Sequence, residues 1–439
     1  MPSISCESGG LGASPAIPGS LRRSRKKLIG TKSRVSQRYR RDSSVSDFYE
    51  FFAGGGMARA GLGEAWTCLF ANDFDTKKAA VYRANWGAEH LRVADIATLT
   101  TADLPGIADL TWASFPCQDL SLAGSGNGLG GQRSGTFWYA HNLLRGLVDE
   151  GRAPTLIAVE NVYGAVTSHG GKDLCAILSS LIDLGYRVGP LVLDAAQFLP
   201  QSRERLFVVA VRTDVVIPAW LHRPAPDARI HPRALVKAAA LLPEQDRAAV
   251  VWWDLTLPLP QTTTLLDLLE DEPQGVGWHT PEETQYLLEM MTPVNRSKVN
   301  AAMRSGQPQV GSIYRRTREG VQRAEVRFDG MAGCLRTPTG GSSRQTILLV
   351  DGERIRSRLL SPREAARLMG LAEDYQLPAR YNDAYKLAGD GVAVPVVTYL
   401  RDAVFNPLLE AARGTPATPA GLYNEPQHDR PNHLALSAD

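Results

Sequence analysis

The feature that most constrains this chain is a strand-like run, Asp47-Phe48-Tyr49-Glu50-Phe51-Phe52, that enters Ala53-Gly54-Gly55-Gly56 and continues as Met57-Ala58-Arg59-Ala60-Gly61-Leu62-Gly63. Glycine lets a backbone turn sharply and approach a ligand closely, so the pattern predicts a strand, a tight turn and a helix. A second run, Trp66–Ala71, leads into Asn72-Asp73-Phe74-Asp75. Asp73 stands about twenty residues after the glycines, the spacing at which a carboxylate reaches ribose hydroxyls. A third segment ends at Asp95-Ile96 and offers another carboxylate at a strand end. Taken singly, each reads better as a plain turn, a loop residue or a helix cap.

Three later segments add chemistry. Phe115-Pro116-Cys117-Gln118 puts a cysteine beside a proline after an apolar run, where a thiol can be held as a nucleophile. Alone, such a cysteine is more often an inert core thiol. Thr155-Leu156-Ile157-Ala158-Val159 reads as a buried strand that carries Glu160-Asn161-Val162 to the same sheet edge. Gln201-Ser202-Arg203-Glu204-Arg205 precedes Leu206–Val211, and alternation puts Gln201, Arg203 and Arg205 on one face.

With Gly389-Asp390-Gly391-Val392-Ala393-Val394-Pro395 near the end, these ordered segments resemble the cytosine-C5 DNA methyltransferase family from about Val45 to Pro407, outside the interior of 211–356. Met57 stands where the family's first motif has a further glycine, Asp390 where its last motif has asparagine, and Asp73 where glutamate is commoner. Asp390 brings a negative charge that needs a partner or a water.

The resemblance implies an α/β fold, a Rossmann-like mostly parallel sheet with helices on both faces, plus a smaller target-recognition domain. It implies S-adenosylmethionine as methyl donor and no metal. Phe52, Gly54, Gly56, Pro116, Asp390 and Val392 would line the donor site, with Asp73 at the ribose, Phe74 on one adenine face and Asp95 at the adenine amino group. Cys117 would be the nucleophile toward C6, and Glu160 a protonated partner of N3, which requires a raised pKa. Arg205 would hold the cytosine carbonyl oxygen and Arg203 orient its neighbours. Gln118, Ser121, Asn161, Gln201, Arg336 and Arg344 would meet the substrate. A stacked base hides C6, so the target cytosine must flip out of double-stranded DNA, and the glycine-rich loop after Cys117 is the closing element.

Composition sets the rest. A chain of 439 residues with 44% hydrophobic content can bury a sizeable core. A formal net charge of +2 confines any DNA-facing surface to local patches. Such cations occur in Asn295–Lys298, Tyr314–Arg318 and the basic loop Leu335–Gln345. Five scattered cysteines carry no paired metal-ligand spacing. No apolar run suggests a bilayer span, so the reading is a cytoplasmic, nucleoid-associated monomer. A companion restriction endonuclease is an expected partner.

The domain reading is a basic tail over 1–45, a catalytic segment 46–212, target recognition over 213–356, a return segment 357–412 and a tail 413–439. Ser361-Pro362-Arg363-Glu364 predicts a capped helix start in the return segment. Three rivals stay open: a tRNA-directed relative, a nicotinamide oxidoreductase and a catalytically silent DNA-binding protein.

Overall fold

A computed structural model describes residues 45–116, 135–318, 320–337 and 344–414. Its main sheet has seven strands in the order β3-β2-β1-β4-β5-β7-β6. These are β1 (Ser46–Phe51), β2 (Trp66–Asp73), β3 (Leu91–Val93), β4 (Leu110–Ala113), β5 (Leu156–Val162), β6 (Tyr186–Asp194) and β7 (Glu204–Arg212). The first five run parallel, whereas β7 is antiparallel to both β5 and β6. The fold is therefore α/β with a mostly parallel, Rossmann-like sheet.

Burial on both faces explains the unbroken apolar runs. Leu156 and Ala158 of β5 join one core cluster, while Ile157 and Val159 join another on the opposite face. Two helices, α1 (Met57–Leu62) and α2 (Thr76–Trp86), follow β1 and β2. A third, α3 (Thr136–Asp149), covers the face that carries Tyr49 and Phe51 through Leu143 and Leu147.

The C-terminal residues return to this sheet. The ring of Phe405 lies edge-on to Trp66 of β2 and Trp112 of β4, each at 6.4 Å. Gly61 of α1 meets Val397 so closely that a Cβ there would lie 2.4 Å from it, and Thr398 donates to the Gly61 carbonyl at 3.0 Å. The helix predicted at Ser361 begins there: the Ser361 N–H donates to Glu364, and the Glu364 N–H donates back to the serine hydroxyl. Glu364 also takes a bidentate pair of 2.7 Å bonds from Arg358, both side chains being buried.

Between these parts lie a two-stranded antiparallel sheet, β8 (His222–Arg223) with β9 (Trp252–Trp253), and a four-stranded antiparallel sheet of order β11-β10-β12-β13. The latter comprises β10 (Gln309–Arg318), β11 (Val321–Arg327), β12 (Thr346–Asp351) and β13 (Arg354–Leu359). Ile313, Val326, Leu348 and Val350 pack against Leu287, Leu288 and Val299 from two helices. The boundary read after Arg356 falls inside β13, because the hydrogen-bonded ladder with β12 runs on to Leu359.

Two expectations change here. Asn295, read as DNA-facing, is buried and binds the end of β11 instead, its Oδ1 accepting from the Val326 N–H at 3.1 Å, while Lys298 stays exposed and donates to the Val326 carbonyl at 3.0 Å. One helical stretch, Tyr381–Ala412, does have the length and apolarity to cross a bilayer, contrary to the sequence reading. It is broken at Gly391–Ala393, and its apolar side is buried against α1 and the sheet, as in a core helix.

Candidate active site

The turn after β1 is strained in the way its sequence suggests. Phe52, Gly54 and Gly56 all have positive φ, at 59°, 58° and 80°, and Phe52 is one of two described non-glycine residues that do. The carbonyl of Gly55 is fixed from behind by Trp86 Nε1 at 2.9 Å and the Tyr375 hydroxyl at 2.7 Å. A Cβ on Gly56 would collide with Trp86, whereas one on Gly54 would meet open space. The turn thus has a closed rear and an open front.

Asp73, at the end of β2, accepts from the Gly54 N–H and the Asp75 N–H, each at 2.8 Å. Phe74 is 69% exposed, which excludes a core role. Parallel pairing of Asp73 with Val93 brings Asp95 to the neighbouring strand end, where its exposed carboxylate caps a short helix through the Ala97 N–H at 3.0 Å. An open glycine cradle, a strand-end carboxylate and an exposed aromatic fit the amino-acid, ribose and adenine parts of S-adenosylmethionine. Val392 is buried and Pro116 half-buried.

Cys117, Gln118 and Ser121 lie outside the described residues. Their approach is described, because Asn161 Nδ2 donates to the Phe115 carbonyl at 3.2 Å. Asn161 is buried, and its oxygen accepts from the Val162 N–H, so it braces the strand end instead of meeting a substrate. Glu160 is 6% exposed and 3.2 Å from Arg205 Nε. Burial pushes its carboxyl above the ordinary range, opposed by Arg205, Arg203 and a hydrogen bond with Ser114. Ser114 is in turn held by Trp112 Nε1 at 2.8 Å.

Gln201, Arg203 and Arg205 do converge on one segment, Cys334-Leu335, the first two through the Leu335 backbone and Arg205 through the Cys334 sulfur. Gln201 is 0% exposed: its oxygen accepts from the Leu335 N–H at 3.3 Å, and its amide donates to the Leu368 carbonyl at 2.5 Å. Arg203 is 2% exposed and donates to the carbonyls of Leu335, Gly389 and Gly391 at 3.2, 2.9 and 2.5 Å. Gln201 differs from the expected substrate-side placement, because a buried polar group is satisfied by the loops around it, whereas Arg203 holds neighbouring loops. Arg205 pairs with Glu160 while also reaching Cys334 Sγ at 3.9 Å. Burial raises the Cys334 thiol, but Arg203 and Arg205 outweigh it, so the thiol lies below its ordinary range.

The two basic-loop residues diverge. Arg336 is exposed. Arg344 instead donates to Asn382 at 2.6 Å and lies over the Tyr381 ring at 5.6 Å, which ties it to the return segment. Asp390 points at Lys78, with 2.7 Å between the charges, rather than into the cradle. The sequence reading missed Lys78, although the unpartnered charge expected at Asp390 was a signal for such a residue. Among the described residues no group of three or more His, Cys, Asp or Glu side chains could hold a metal ion.

A family model described as C-5 cytosine-specific DNA methylase matches residues 46–406. The type II methyltransferase M.HpaII of Haemophilus parainfluenzae is 28% identical over 373 residues, covering 80% of this chain and 86% of the relative. M.BsuFI of Bacillus subtilis is 26% identical over 367 residues, covering 83% and 73%. Among solved structures, the Entamoeba histolytica methyltransferase EhMeth aligns with a TM-score of 0.55 at 14% identity, covering 82% of this chain and 98% of that one. This last likeness concerns the fold alone. The family match spans both the glycine cradle and the Glu160–Arg205 edge, and the chain belongs to the C-5 cytosine-specific DNA methylase family, as a DNA cytosine-C5 methyltransferase.

Proposed function

We propose that the chain transfers a methyl group from S-adenosylmethionine to C5 of cytosine within a specific double-stranded DNA sequence, through a covalent bond between Cys117 and C6. The observation that carries this reading is the buried Glu160–Arg205 pair at the strand end that also braces the approach to Cys117. A buried carboxyl with a raised pKa can hold the proton that N3 of cytosine calls for, and an adjacent guanidinium suits the carbonyl oxygen.

S-adenosylmethionine supplies an electrophilic methyl group when bound. The Cys117 thiolate adds to C6, and the electron pair displaced from the C5–C6 bond makes C5 the nucleophile. Glu160 offers its proton at N3 while that charge builds. C5 would take the methyl group with S-adenosylhomocysteine as the leaving group; a base then removes the C5 proton, N3 gives its proton back to Glu160, the C6–S bond breaks and the thiolate returns. Arg203 is a positioning residue, holding the 335 and 389–391 loops beside the reacting groups.

Phe52, Gly54, Gly56, Pro116 and Val392 form the amino-acid end of the donor site, with Asp73, Phe74 and Asp95 at the nucleoside. Gln118, Ser121 and Arg336 remain the candidates for contact with DNA carrying a flipped cytosine. A monomer working beside a companion endonuclease, in the cytoplasm on nucleoid DNA, completes the reading. Methyl incorporation into DNA but not tRNA, followed by bisulfite sequencing, tests it; incorporation into tRNA alone assigns the other polymer.

A further inference from the structure

The first turn of α2 and the Tyr381–Asp390 helix face each other through three ion pairs. Lys77 lies 2.9 Å from Asp383, Asp75 lies 3.0 Å from Lys386, and Lys78 lies 2.7 Å from Asp390. Asp383, Lys386 and Asp390 recur at spacings of three and four, which puts them on one helical face. Their charges alternate to match those on α2. Lys77 is largely exposed, and pairs of that kind contribute about 0–1 kcal/mol, so stability alone is a weak account of the arrangement.

The Lys78 pair differs in location. A Cβ on Gly389 would lie 3.0 Å from the backbone of Arg336 and Thr337, and one on Gly391 would lie 2.1 Å from the Met57 sulfur, directly beside the glycine turn. The loop therefore has little room to move. Burial pulls the Lys78 ammonium toward the neutral form, but Asp390, Asp73 and Asp75 outweigh it and hold the charge. Asp73 already ties the turn through the Gly54 N–H. Without Lys78, Asp75 would keep Lys386, but the Asp390 carboxylate would lose its 2.7 Å partner on the side that faces Asp73, and like charges in a partly desolvated site repel.

We propose that Lys78 is a positioning residue of the methyl-donor site: it neutralises Asp390 and so fixes the 389–391 loop against the glycine turn. This rests on the reading that the turn holds the donor. Where the family carries asparagine no cation is required, so Lys78 and Asp390 form a matched pair.

The test is calorimetric binding of S-adenosylhomocysteine to the full-length protein, alongside thermal melts without ligand. This probe lacks the sulfonium charge, so its affinity carries no sulfonium attraction to Asp390. Lys78→Met should weaken binding about tenfold, and Lys78→Met/Asp390→Asn should recover to within about threefold of wild type. Each tenfold step in Kd corresponds to about 1.4 kcal/mol. Unchanged binding in Lys78→Met, or no recovery in the double variant when both melt as wild type does, overturns the proposal. Should Lys78→Met melt lower, recovery of the melt without recovery of affinity also overturns it. Failure of the wild-type protein to bind the probe instead overturns the donor-site reading on which the proposal rests.

Discussion

The Glu160 carboxylate on β5 lies 3.2 Å from Arg205 Nε on the antiparallel strand β7, with both side chains largely withdrawn from water. The guanidinium favours the ionised carboxylate, and burial disfavours it more strongly. Glu160→Gln keeps the shape and removes the transferable proton. Its chemical rate should fall by about 10²–10⁴, with DNA affinity changed less than about threefold. Single-turnover methylation and filter binding check this; an equal loss in affinity would assign Glu160 to binding.

The same pair sets a pH dependence. A raised carboxyl holds its proton below its pKa and loses it above, so the single-turnover rate of wild type should decline as pH rises through that value. Arg205→Lys leaves a point charge in place of a planar fork, so its rate should also fall, by at least about tenfold. Rate profiles between pH 5 and 9, taken on the order of one unit apart, check both statements.

Arg203 tests the loop assembly. Its three carbonyl partners belong to Leu335, Gly389 and Gly391, and a lysine ammonium cannot match their fan-like placement. Arg203→Lys should destabilise the protein by about 1–3 kcal/mol. A denaturant midpoint equal to wild type would show that the loops stand without it.

Glu50 provides a separate stability signature beneath the glycine turn. It is 1% exposed on β1, its Oε2 has no hydrogen-bond partner among the described residues, and burial pushes its pKa up to about 8 from 4.5. Arg59 opposes the shift and Asp73 adds to it. Since the folded protein retains a proton that the unfolded chain releases, this contribution is full below about 4.5 and is lost as pH rises through about 8. The slope cannot exceed about 1.4 kcal/mol per pH unit. Glu50→Gln should flatten it, as urea unfolding from pH 6 to pH 9, about three units, would show; an unchanged slope would contradict the assignment.

The legible parts of this fold were those fixed by local rules. The strand–glycine–helix turn, the apolar run of β5 and the capping box at Ser361 follow from side-chain periodicity and backbone chemistry within a few residues. The direction of polar side chains did not. Gln201, Asn161 and Arg344 looked like substrate contacts because sequence gives their donors but not what surrounds them, and here backbone carbonyls or neighbouring side chains surround them. Lys386 and Asp75, 311 positions apart, show why the ion pairs on α2 were invisible: only the return of the chain to the first helices brings them together.

The most direct test of the covalent mechanism uses duplex DNA with 5-fluorocytosine at the target position. Cys117 would add to C6 and the methyl group would transfer, but elimination would stop because fluorine occupies the place of the departing proton. The account predicts a protein–DNA band that survives denaturing electrophoresis, requires S-adenosylmethionine to accumulate and disappears in Cys117→Ala. Methylation of ordinary DNA by the wild-type protein with no trapped band would contradict it.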